Sequence, residues 1–359
     1  MSETFEHGGN IFAIARQMGV SAGEILDFSA SINPLGTVPD LYDAISTAFE
    51  QIIHYPETDA PELRQALSRW HCLPQESISV ANGSTELIYL LPGLVKGKRA
   101  LVVAPAFSEY SKALAREKWT VDYHILKHDD CFELNLELLQ QQLNKGYDLL
   151  ILCNPGNPTG RLYQREEIKN LAELCAKNSV FLVLDEAFMD FCEENSATAM
   201  AAQNSQMLVL RSMTKFYALP GLRLGWAVGT PSTISRLSAL KEPWSVNCLA
   251  KAAGIASLAD KQYTALTVKM ITCWRNELAE GLASLPGCTV FPSAANYLLL
   301  KLPTAMAGKL ASSLSRQKIL VRDCANFKGL DGHFLRLAVR KGEDNRLLLD
   351  ALQAMLKAT

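Results

Sequence analysis

From about Ser77 to Val228, the chain alternates between short, continuously apolar runs and longer amphipathic segments. The apolar runs are SISVAN, RALVVAP, DLLILC, VFLVLD and MLVLRS. The segments between them include STELIYLLPGLV, SEYSKALARE and REEIKNLAELCAKN, whose apolar residues have helical spacing. Strands that are apolar at every position are typical of a sheet with helices on both faces. The alternation therefore predicts a doubly wound α/β domain with a mainly parallel sheet.

The pattern changes at about Pro286. The runs NYLLLKL, ILVRDC and HFLRLAV, with a helix near Ala305–Arg316 and a closing helix after Gly342, predict a smaller α+β domain. A helical stretch from about Asp260 to Leu285 leads into it, and the first residues, to about Leu35, have turn-like sequences and little periodicity. We therefore predict an N-terminal arm (1–35) that packs with the small domain, a large domain (36–285) and a small C-terminal domain (286–359).

Composition narrows the class of protein. The 359 residues are 48% hydrophobic and 20% charged, as in a globular protein with a large core. A net charge of −2 without a basic block leads us to expect neither nucleic acid nor a membrane surface as a partner, and no apolar run reaches the roughly 20 residues of a membrane span. The nine cysteines are scattered without a C-x-x-C pair, and MSETFEHGGN lacks the apolar core of a secretory signal. We expect a cytoplasmic protein with reduced thiols and no metal site.

Polar residues follow each predicted strand of the large domain. In open α/β sheets, ligands bind at the carboxyl ends of the strands, so these residues are the candidates for a site. They are Asn82–Thr85, Pro105–Phe107, Asn154–Asn157, Asp185–Glu186 and Ser212–Lys215. We expect all five groups to face one cleft.

Lys215 and Asp185 suggest the chemistry of that cleft. Lys215 follows Asp185 by 30 residues, about one strand–connection–strand unit, so both should lie at the same edge of the sheet. A lysine amine forms an imine with an aldehyde and is the usual anchor of pyridoxal 5′-phosphate (PLP), and a buried carboxylate keeps the ring nitrogen of PLP protonated. By itself, Asp185 is more often a helix cap or a solvated carboxylate. The pair predicts a PLP site with both residues catalytic.

The cofactor phosphate requires hydrogen-bond donors. Gly83, Ser84 and Thr85 lie between a predicted strand and helix, where free N–H groups and the helix dipole favour an anion. A Ser or Thr at this position is also a common N-cap. The stretch lacks the G-x-G-x-x-G of a nicotinamide-binding turn. We predict that Ser212 and Arg223 complete the phosphate site.

Two further residues suit the pyridine ring. Phe107, after the strand RALVVAP, is a candidate to stack on the ring, and Asn157 in NPGNPTG offers an amide to the ring 3-oxygen. An ordinary core aromatic and a turn rich in Pro and Gly are the alternatives for these positions. Together with the lysine, the carboxylate and the phosphate site, they strengthen the prediction of PLP.

The stretches NGSTELI, NPGNPTG, VLDEAFMDF and RSMTKFYALPGLRLGW resemble, in order and spacing, the aspartate-aminotransferase-like (fold-type I) superfamily of PLP enzymes. The resemblance covers nearly the whole chain and implies that Lys215 forms the imine, Asp185 meets the ring nitrogen and Asn157 meets the 3-oxygen. Tyr55 in HYP resembles a tyrosine that reaches the cofactor phosphate of a neighbouring subunit, which implies a homodimer with shared sites. Phe188 stands where many relatives have a tyrosine that donates to the 3-oxygen, so that hydrogen bond should be absent.

Two branches of the superfamily fit these motifs. HGGN at His7–Asn10, DFSASINPLG, EPWSVN and VRDCANFKGLDGHFLRLAVR are more similar to the threonine-phosphate decarboxylases of cobalamin biosynthesis than to the histidinol-phosphate aminotransferases. The resemblance implies decarboxylation of L-threonine O-3-phosphate to (R)-1-amino-2-propanol O-2-phosphate. The alternative is transamination of histidinol phosphate or a related phosphorylated amino acid. Both reactions use the same motifs and differ in how the substrate is oriented at its Cα–N bond, so the motifs alone do not choose between them.

A phosphorylated amino acid requires binding groups for two anions, and arginine binds both carboxylate and phosphate bidentately. Arg336 resembles the family's arginine for the α-carboxylate, and Arg322 resembles the arginine for a distal phosphate. We expect the arm to close over the phosphate and Asn157 to lie near the substrate. The predicted substrate-binding residues are thus His7, Gly9, Ser31, Asn33, Asn157, Arg322 and Arg336.

Overall fold

The computed structural model describes residues 7–357, so residues 1–6 of the predicted arm and 358–359 of the predicted small domain lie outside the described residues. The helices are α1 Ile11–Met18, α2 Leu41–Ala48, α3 Pro61–His71, α4 Gly83–Leu94, α5 Glu109–Arg116, α6 Leu136–Leu143, α7 Arg165–Lys177, α8 Thr198–Ala201, α9 Pro231–Ser238, α10 Cys248–Ala259, α11 Lys261–Ala283, α12 Ala307–Arg316 and α13 Gly342–Lys357. The strands are β1 Leu26–Asp27, β2 Ile78–Ala81, β3 Arg99–Ala104, β4 Thr120–Ile125, β5 Leu149–Cys153, β6 Phe181–Asp185, β7 Met207–Ser212, β8 Gly225–Val228, β9 Thr289–Val290, β10 Tyr297–Lys301, β11 Ile319–Leu320, β12 Arg322–Asp323 and β13 Phe334–Ala338.

A seven-stranded sheet with the order β2-β8-β7-β6-β5-β3-β4 forms the centre of the molecule. Neighbouring strands from β7 to β4 are parallel, and β8 runs antiparallel to both of its neighbours. This arrangement confirms the predicted doubly wound, mainly parallel sheet. Among residues 7–357, no helix has the length and apolar character needed to cross a membrane.

The apolar strands have helices on both faces because their alternate residues enter different cores. Leu149 and Ile151 of β5 pack into a cluster with α4, α5 and α9, whereas Leu150 and Leu152 pack into the larger cluster on the opposite face. All five residues of β5 are buried, and so are all five of β6. Continuous burial of this kind explains why the runs are apolar at every position.

The C-terminal part contains a four-stranded antiparallel sheet with the order β12-β13-β10-β9. The N-terminal arm contacts the C-terminal part of the chain through a separate two-stranded parallel sheet, β1–β11. In this pair Leu26 lies opposite Ile319. The boundaries between arm, large domain and small domain stay a prediction. The arm also contains α1, which the sequence analysis did not predict because the helix has only eight residues and lies among turn-like sequences.

Two strands of the central sheet were not predicted from the sequence. β4 forms an edge of the sheet, and most of its residues are half-buried or exposed, so it lacks the continuous apolar run of the inner strands. β8 has only four residues and lies within the lysine motif, where we interpreted the sequence as part of a site. The miss of β4 reflects a rule that recognises only fully buried strands, whereas β8 is buried at all four positions and was missed because it is short and overlaps the motif.

Candidate active site

A cleft of about 260 Å³ lies at the carboxyl ends of the central parallel strands, where the arm and the C-terminal sheet meet them. Its lining contains residues predicted to bind the cofactor and residues predicted to bind the substrate. The predicted residues that line it are His7, Ser31, Ser84, Thr85, Phe107, Asn157, Asp185, Ser212, Lys215, Arg223, Arg322 and Arg336. The fold thus brings together residues that are more than 300 positions apart in the sequence.

Asp185 ends β6 and is held in one orientation. Its Oδ2 accepts a hydrogen bond from the Tyr110 hydroxyl at 2.6 Å, and its Oδ1 accepts one from the backbone N–H of Ala187 at 3.0 Å. Burial raises the pKa of Asp185, while the hydrogen bonds and the nearby charge of Lys215 oppose that shift. A cation at the ring-nitrogen position would further favour the ionised carboxylate.

Tyr110 is a site residue that sequence reasoning missed. It lies in the first turn of α5, three residues after Phe107, and the two rings pack edge to face with centroids 5.9 Å apart. Burial and the Asp185 carboxylate raise the pKa of the Tyr110 hydroxyl well above its usual value, so it remains a hydrogen-bond donor. The i, i+3 spacing from Phe107 at a helix start was the available signal.

Lys215 follows β7 in the loop that leads to β8. Burial, the first cause, and the charges of Arg336 and Arg223 lower the pKa of its amine to about 8, against the opposing effect of Asp185. A lowered pKa increases the fraction of neutral, nucleophilic amine near neutral pH. The site therefore activates this lysine for attack on a carbonyl.

The start of α4 and the loop carrying Arg223 form one side of an anion-binding site. Gly83 begins α4 with a φ of +78°, and a Cβ at this position would lie 2.7 Å from Nη2 of Arg223. A Cβ on Gly225 would lie 2.5 Å from the backbone nitrogen of Ser84. Glycine is therefore required at both positions so that the first N–H groups of α4 and the guanidinium lie side by side.

Hydroxyl groups form another side of this anion-binding site. The Ser212 Oγ and Thr214 Oγ1 atoms lie 2.9 Å apart, and both residues line the cleft. Thr214 was not predicted as a site residue, although it stands next to the lysine. With the N-terminus of α4 and Arg223, these hydroxyls could surround a phosphate with N–H and O–H donors.

Arg336, in β13, is almost entirely buried and donates to Asn157 Oδ1 at 2.5 Å and to the Ser29 carbonyl oxygen at 2.8 Å. Its Nε has no hydrogen-bond partner within residues 7–357, and no carboxylate of that range lies within ion-pair distance. The buried Ser31 Oγ likewise lacks a partner among the described residues. A guanidinium without a carboxylate partner and a hydroxyl without a hydrogen-bond partner within residues 7–357, both at one cleft, indicate a polar ligand.

Arg322 in β12 lies directly opposite Arg336 in the antiparallel pair β12–β13. Arg322 donates to Asn326 Oδ1 at 2.7 Å and lies over the Phe327 ring, 5.2 Å from its centroid. Like charges opposite each other across a sheet repel, so an anion between or beside them would stabilise the pair. This cross-strand register could not be inferred from the sequence.

Four predicted residues do not line the cleft. Gly9 and Asn33 are held behind it: the Gly9 N–H donates to Ser29 Oγ, and the Asn33 amide donates to the Phe216 carbonyl oxygen beneath the lysine loop. Gly83 lies behind Arg223. Tyr55 is 80% exposed and stacks on Trp244, with 4.6 Å between centroids, away from the cleft of its own chain. Phe188, which was named from the sequence for the hydroxyl that it lacks, also lines the cleft.

These groups fit the cofactor predicted from the sequence. The buried lysine with a lowered pKa, the oriented carboxylate and the anion-binding site around the N-terminus of α4 correspond to the aldehyde, ring nitrogen and phosphate of PLP. The fold and site define a fold-type I, PLP-dependent enzyme.

The chain belongs to the aminotransferase class I and II family, whose model matches residues 18–352. The threonine-phosphate decarboxylase of Salmonella typhimurium (strain LT2) is 39% identical over 352 residues, which cover 98% of this chain and 96% of that protein. Among solved structures, L-threonine-O-3-phosphate decarboxylase from Porphyromonas gingivalis superimposes with a TM-score of 0.83 and 30% identity, over 93% of this chain and 100% of that chain. The histidinol-phosphate aminotransferase from Clostridium acetobutylicum has a TM-score of 0.87 and 28% identity, with the same coverage.

Proposed function

We propose that this enzyme decarboxylates L-threonine O-3-phosphate to (R)-1-amino-2-propanol O-2-phosphate and CO2, in the biosynthesis of cobalamin. The similarity to threonine-phosphate decarboxylases over almost the whole chain supports this function. The observation that carries it is the cross-strand pair Arg322–Arg336 at the cleft. These two cations match a small substrate with a carboxylate at one end and a phosphate at the other.

The two arginines have different surroundings, which supports a division of roles. Arg336 is bonded to Asn157, the residue proposed for the ring 3-oxygen, so it lies on the side of the reacting amino acid. Arg322 lies farther along the cleft beside Asn326 and Phe327, and we assign it to the phosphate. Ser31, whose buried hydroxyl has no hydrogen-bond partner within residues 7–357, and His7 complete the substrate side.

PLP, when bound, supplies an electron sink for the bond broken at Cα. Lys215 is the group we assign to carry a proton in this reaction: its Nζ, with a pKa lowered to about 8, delivers a proton to Cα after CO2 has left. Asp185, oriented by Tyr110 and Ala187, would hold the ring nitrogen of the bound cofactor in its protonated form. Phe188 offers no hydroxyl to the 3-oxygen and instead packs edge to face on Tyr297.

The proposal is tested by supplying the holoenzyme with L-threonine O-3-phosphate and no 2-oxo acid. We expect CO2 and the phosphorylated amino alcohol in equal amounts, because decarboxylation needs no amino acceptor. Unphosphorylated L-threonine is the matched control and should react poorly, since Arg322 then has no phosphate to bind. Turnover that occurs only with histidinol phosphate and 2-oxoglutarate would instead establish the aminotransferase, the function of a structurally similar relative.

A homodimer with shared sites is part of the proposal. Exposed apolar side chains occur in the segment that leads to Tyr55 and at its stacking partner, and Tyr55 does not line the cleft of its own chain. They are Tyr42, Phe49, Ile52, Ile53 and Trp244. A second copy would cover this surface and allow Tyr55 to reach its cofactor phosphate. The nine free cysteines are consistent with the cytoplasmic location that we also propose.

Complementation tests the sharing of sites. A Tyr55→Ala chain and a Lys215→Ala chain should each have little activity. Mixed after unfolding and refolding together, they should recover part of the wild-type activity, because one site in each mixed dimer has both residues intact. No recovery in mixtures that form dimers by light scattering would contradict the shared site.

A further inference from the structure

His7 is held at the mouth of the cleft by a carboxylate from another element. Its Nε2 lies 2.9 Å from Oε1 of Glu109 in α5, and its ring packs against Phe107 with 5.4 Å between centroids. No hydrogen bond of its Nδ1 is found within residues 7–357. The contact therefore occupies one ring nitrogen of a histidine that lines the cleft.

Glu109 is itself held firmly. Its Oε2 accepts a hydrogen bond from the Tyr89 hydroxyl at 2.7 Å, and its Oε1 accepts one from Lys112 Nζ at 2.9 Å. Its side chain is only 13% exposed, and the hydrogen bonds lower its pKa despite the opposing effect of burial. Tyr89 belongs to α4, the helix whose N-terminus contributes to the anion-binding site.

The arm that carries His7 approaches the same side of the cleft as the substrate arginines. A Cβ on Gly8 would come within 2.2 Å of the Ser29 carbonyl oxygen, and that oxygen accepts the hydrogen bond from Arg336. The Asn10 amide donates to the His7 carbonyl oxygen at 2.6 Å. The arm backbone is therefore packed closely beside Ser29, and the Glu109 contact sets the position of the imidazole.

We propose that Glu109 is a positioning residue for phosphate recognition: it holds His7 by Nε2 so that Nδ1 can donate to the phosphate of the substrate. An imidazolium donates through both nitrogens and would bridge the Glu109 carboxylate and the phosphate. Lys112 offsets the charge of Glu109, which reduces its repulsion of the phosphate. This inference rests on the proposed function because it requires a phosphorylated substrate.

The test compares two ligands that lack a carboxylate and so cannot be decarboxylated. The holoenzyme is titrated with (R)-1-amino-2-propanol O-2-phosphate and with (R)-1-amino-2-propanol, and binding is followed by the cofactor absorbance. Glu109→Gln should weaken binding of the phosphorylated ligand about 10-fold, as expected for loss of one charge-assisted hydrogen bond. It should change the affinity for the unphosphorylated ligand less than about twofold. Glu117→Gln, the same change at the exposed end of α5, should alter neither ligand.

A second comparison separates positioning from support of the fold. In a His7→Asn background, Glu109→Gln should not weaken binding of the phosphorylated ligand any further, because each change alone already removes the same contact. The proposal would be overturned if Glu109→Gln weakened the binding of both ligands equally, or if its effect were undiminished in the His7→Asn background. Loss of bound PLP from the variant would also overturn it. Equal binding of both ligands by the wild type would also overturn it. Failure of the wild type to release CO2 from L-threonine O-3-phosphate would reject the proposed function separately, since these titrations require no turnover.

Discussion

The carboxyl ends of strands β6 and β7 supply polar residues to two regions, the cleft and a second, buried region, whose charges are balanced differently. Asp185 and Ser212 line the cleft, whereas their sequence neighbours Glu186 and Arg211 are fully buried away from it. Successive residues of an extended chain point in opposite directions, so one strand end supplies both regions.

The second region is a buried ion cluster, here called the Arg211 cluster: Arg211, Glu186, Asp190, Glu193 and Ser196. The guanidinium forms an ion pair with Glu193 and lies 3.2 Å from Asp190 Oδ1 and 3.5 Å from Glu186 Oε2. Ser196 Oγ accepts from Arg211 at 3.1 Å and donates to Glu186 at 2.7 Å. Burial raises the pKa of Glu186 to about 7 and of Asp190 to about 6, and Arg211 opposes both shifts.

Shifted pKa values and unpaired buried atoms occur in both regions, so neither property identifies the site. Arg211 Nε lacks a hydrogen-bond partner within residues 7–357, as does Arg336 Nε. The difference is charge balance: Arg211 has its own carboxylates, whereas Arg336 faces Arg322 across two strands and has no carboxylate within ion-pair distance among residues 7–357. An uncompensated charge requires a ligand, whereas a compensated one contributes to the fold.

The strongest test of the cleft is Lys215→Ala. Turnover of L-threonine O-3-phosphate should fall by at least about 10³-fold, because the nucleophile and the proposed proton donor are both lost. Release of CO2 is measured with the protein saturated in PLP. Lys251→Ala, on α10 and paired with Glu62, is the control and should keep wild-type activity. Activity within tenfold of wild type in the Lys215 variant would remove this residue from the mechanism.

The corresponding test of the Arg211 cluster is Arg211→Met. The free energy of unfolding should fall by about 3–5 kcal/mol, because buried carboxylates lose their cation. Urea denaturation measures the loss. Lys169→Met, which removes an exposed pair with Glu166, should lower the free energy of unfolding far less. A similarly small loss of stability for both variants would mean that the Arg211 cluster does not stabilise the fold.

Arg336→Met should reduce activity strongly and stability little, the reverse of what we expect for Arg211→Met. The kcat/KM for L-threonine O-3-phosphate should fall about 100-fold, since a bidentate contact to the carboxylate is lost, while PLP stays bound. The free energy of unfolding should change by less than about 1 kcal/mol, because relief of the repulsion with Arg322 offsets the lost hydrogen bonds. A large loss of stability with unchanged kinetics would place Arg336 with Arg211 as a structural residue.

The smallest expected effect is the pH dependence of stability that arises from His71, whose buried side chain lies beside the Arg211 cluster. Burial, assisted by the charge of Arg211, lowers the pKa of His71 to about 3, and its Nδ1 is 3.7 Å from Glu193 Oε1, too far for a hydrogen bond. The unfolded chain, with a histidine pKa of about 6.5, binds a proton that the folded chain does not, so stability falls as the pH drops below about 6.5. Between pH 7 and 5 this contribution is about 2 kcal/mol.

His71→Phe should remove that contribution and leave the ring packing on Trp226 largely intact. Urea denaturation at pH 7 and pH 5 measures it, with wild type and variant compared at each pH. The variant should lose about 2 kcal/mol less than wild type on acidification. An equal loss in both would show that His71 does not titrate on unfolding.

The sequence alone predicted the mainly parallel sheet and half of the residues that line the cleft. It could do so because continuous apolar runs identify buried strands, and the carboxyl ends of parallel strands meet at one edge. Asp185 ends such a strand, and Asn157 and Lys215 follow two others within four residues. The cofactor then followed from local chemistry, and family membership confirmed it.

Only the tertiary structure decided which charges face each other. The register that places Arg322 opposite Arg336, the hydrogen bond from Tyr110 to Asp185, and the contact between His7 and Glu109 all join residues from different elements. It also decided that Asn33 packs beneath the lysine loop and that Tyr55 faces away from its own cleft. The physical reason is that a linear pattern indicates which face of an element is buried, whereas charge balance depends on what packs against that face.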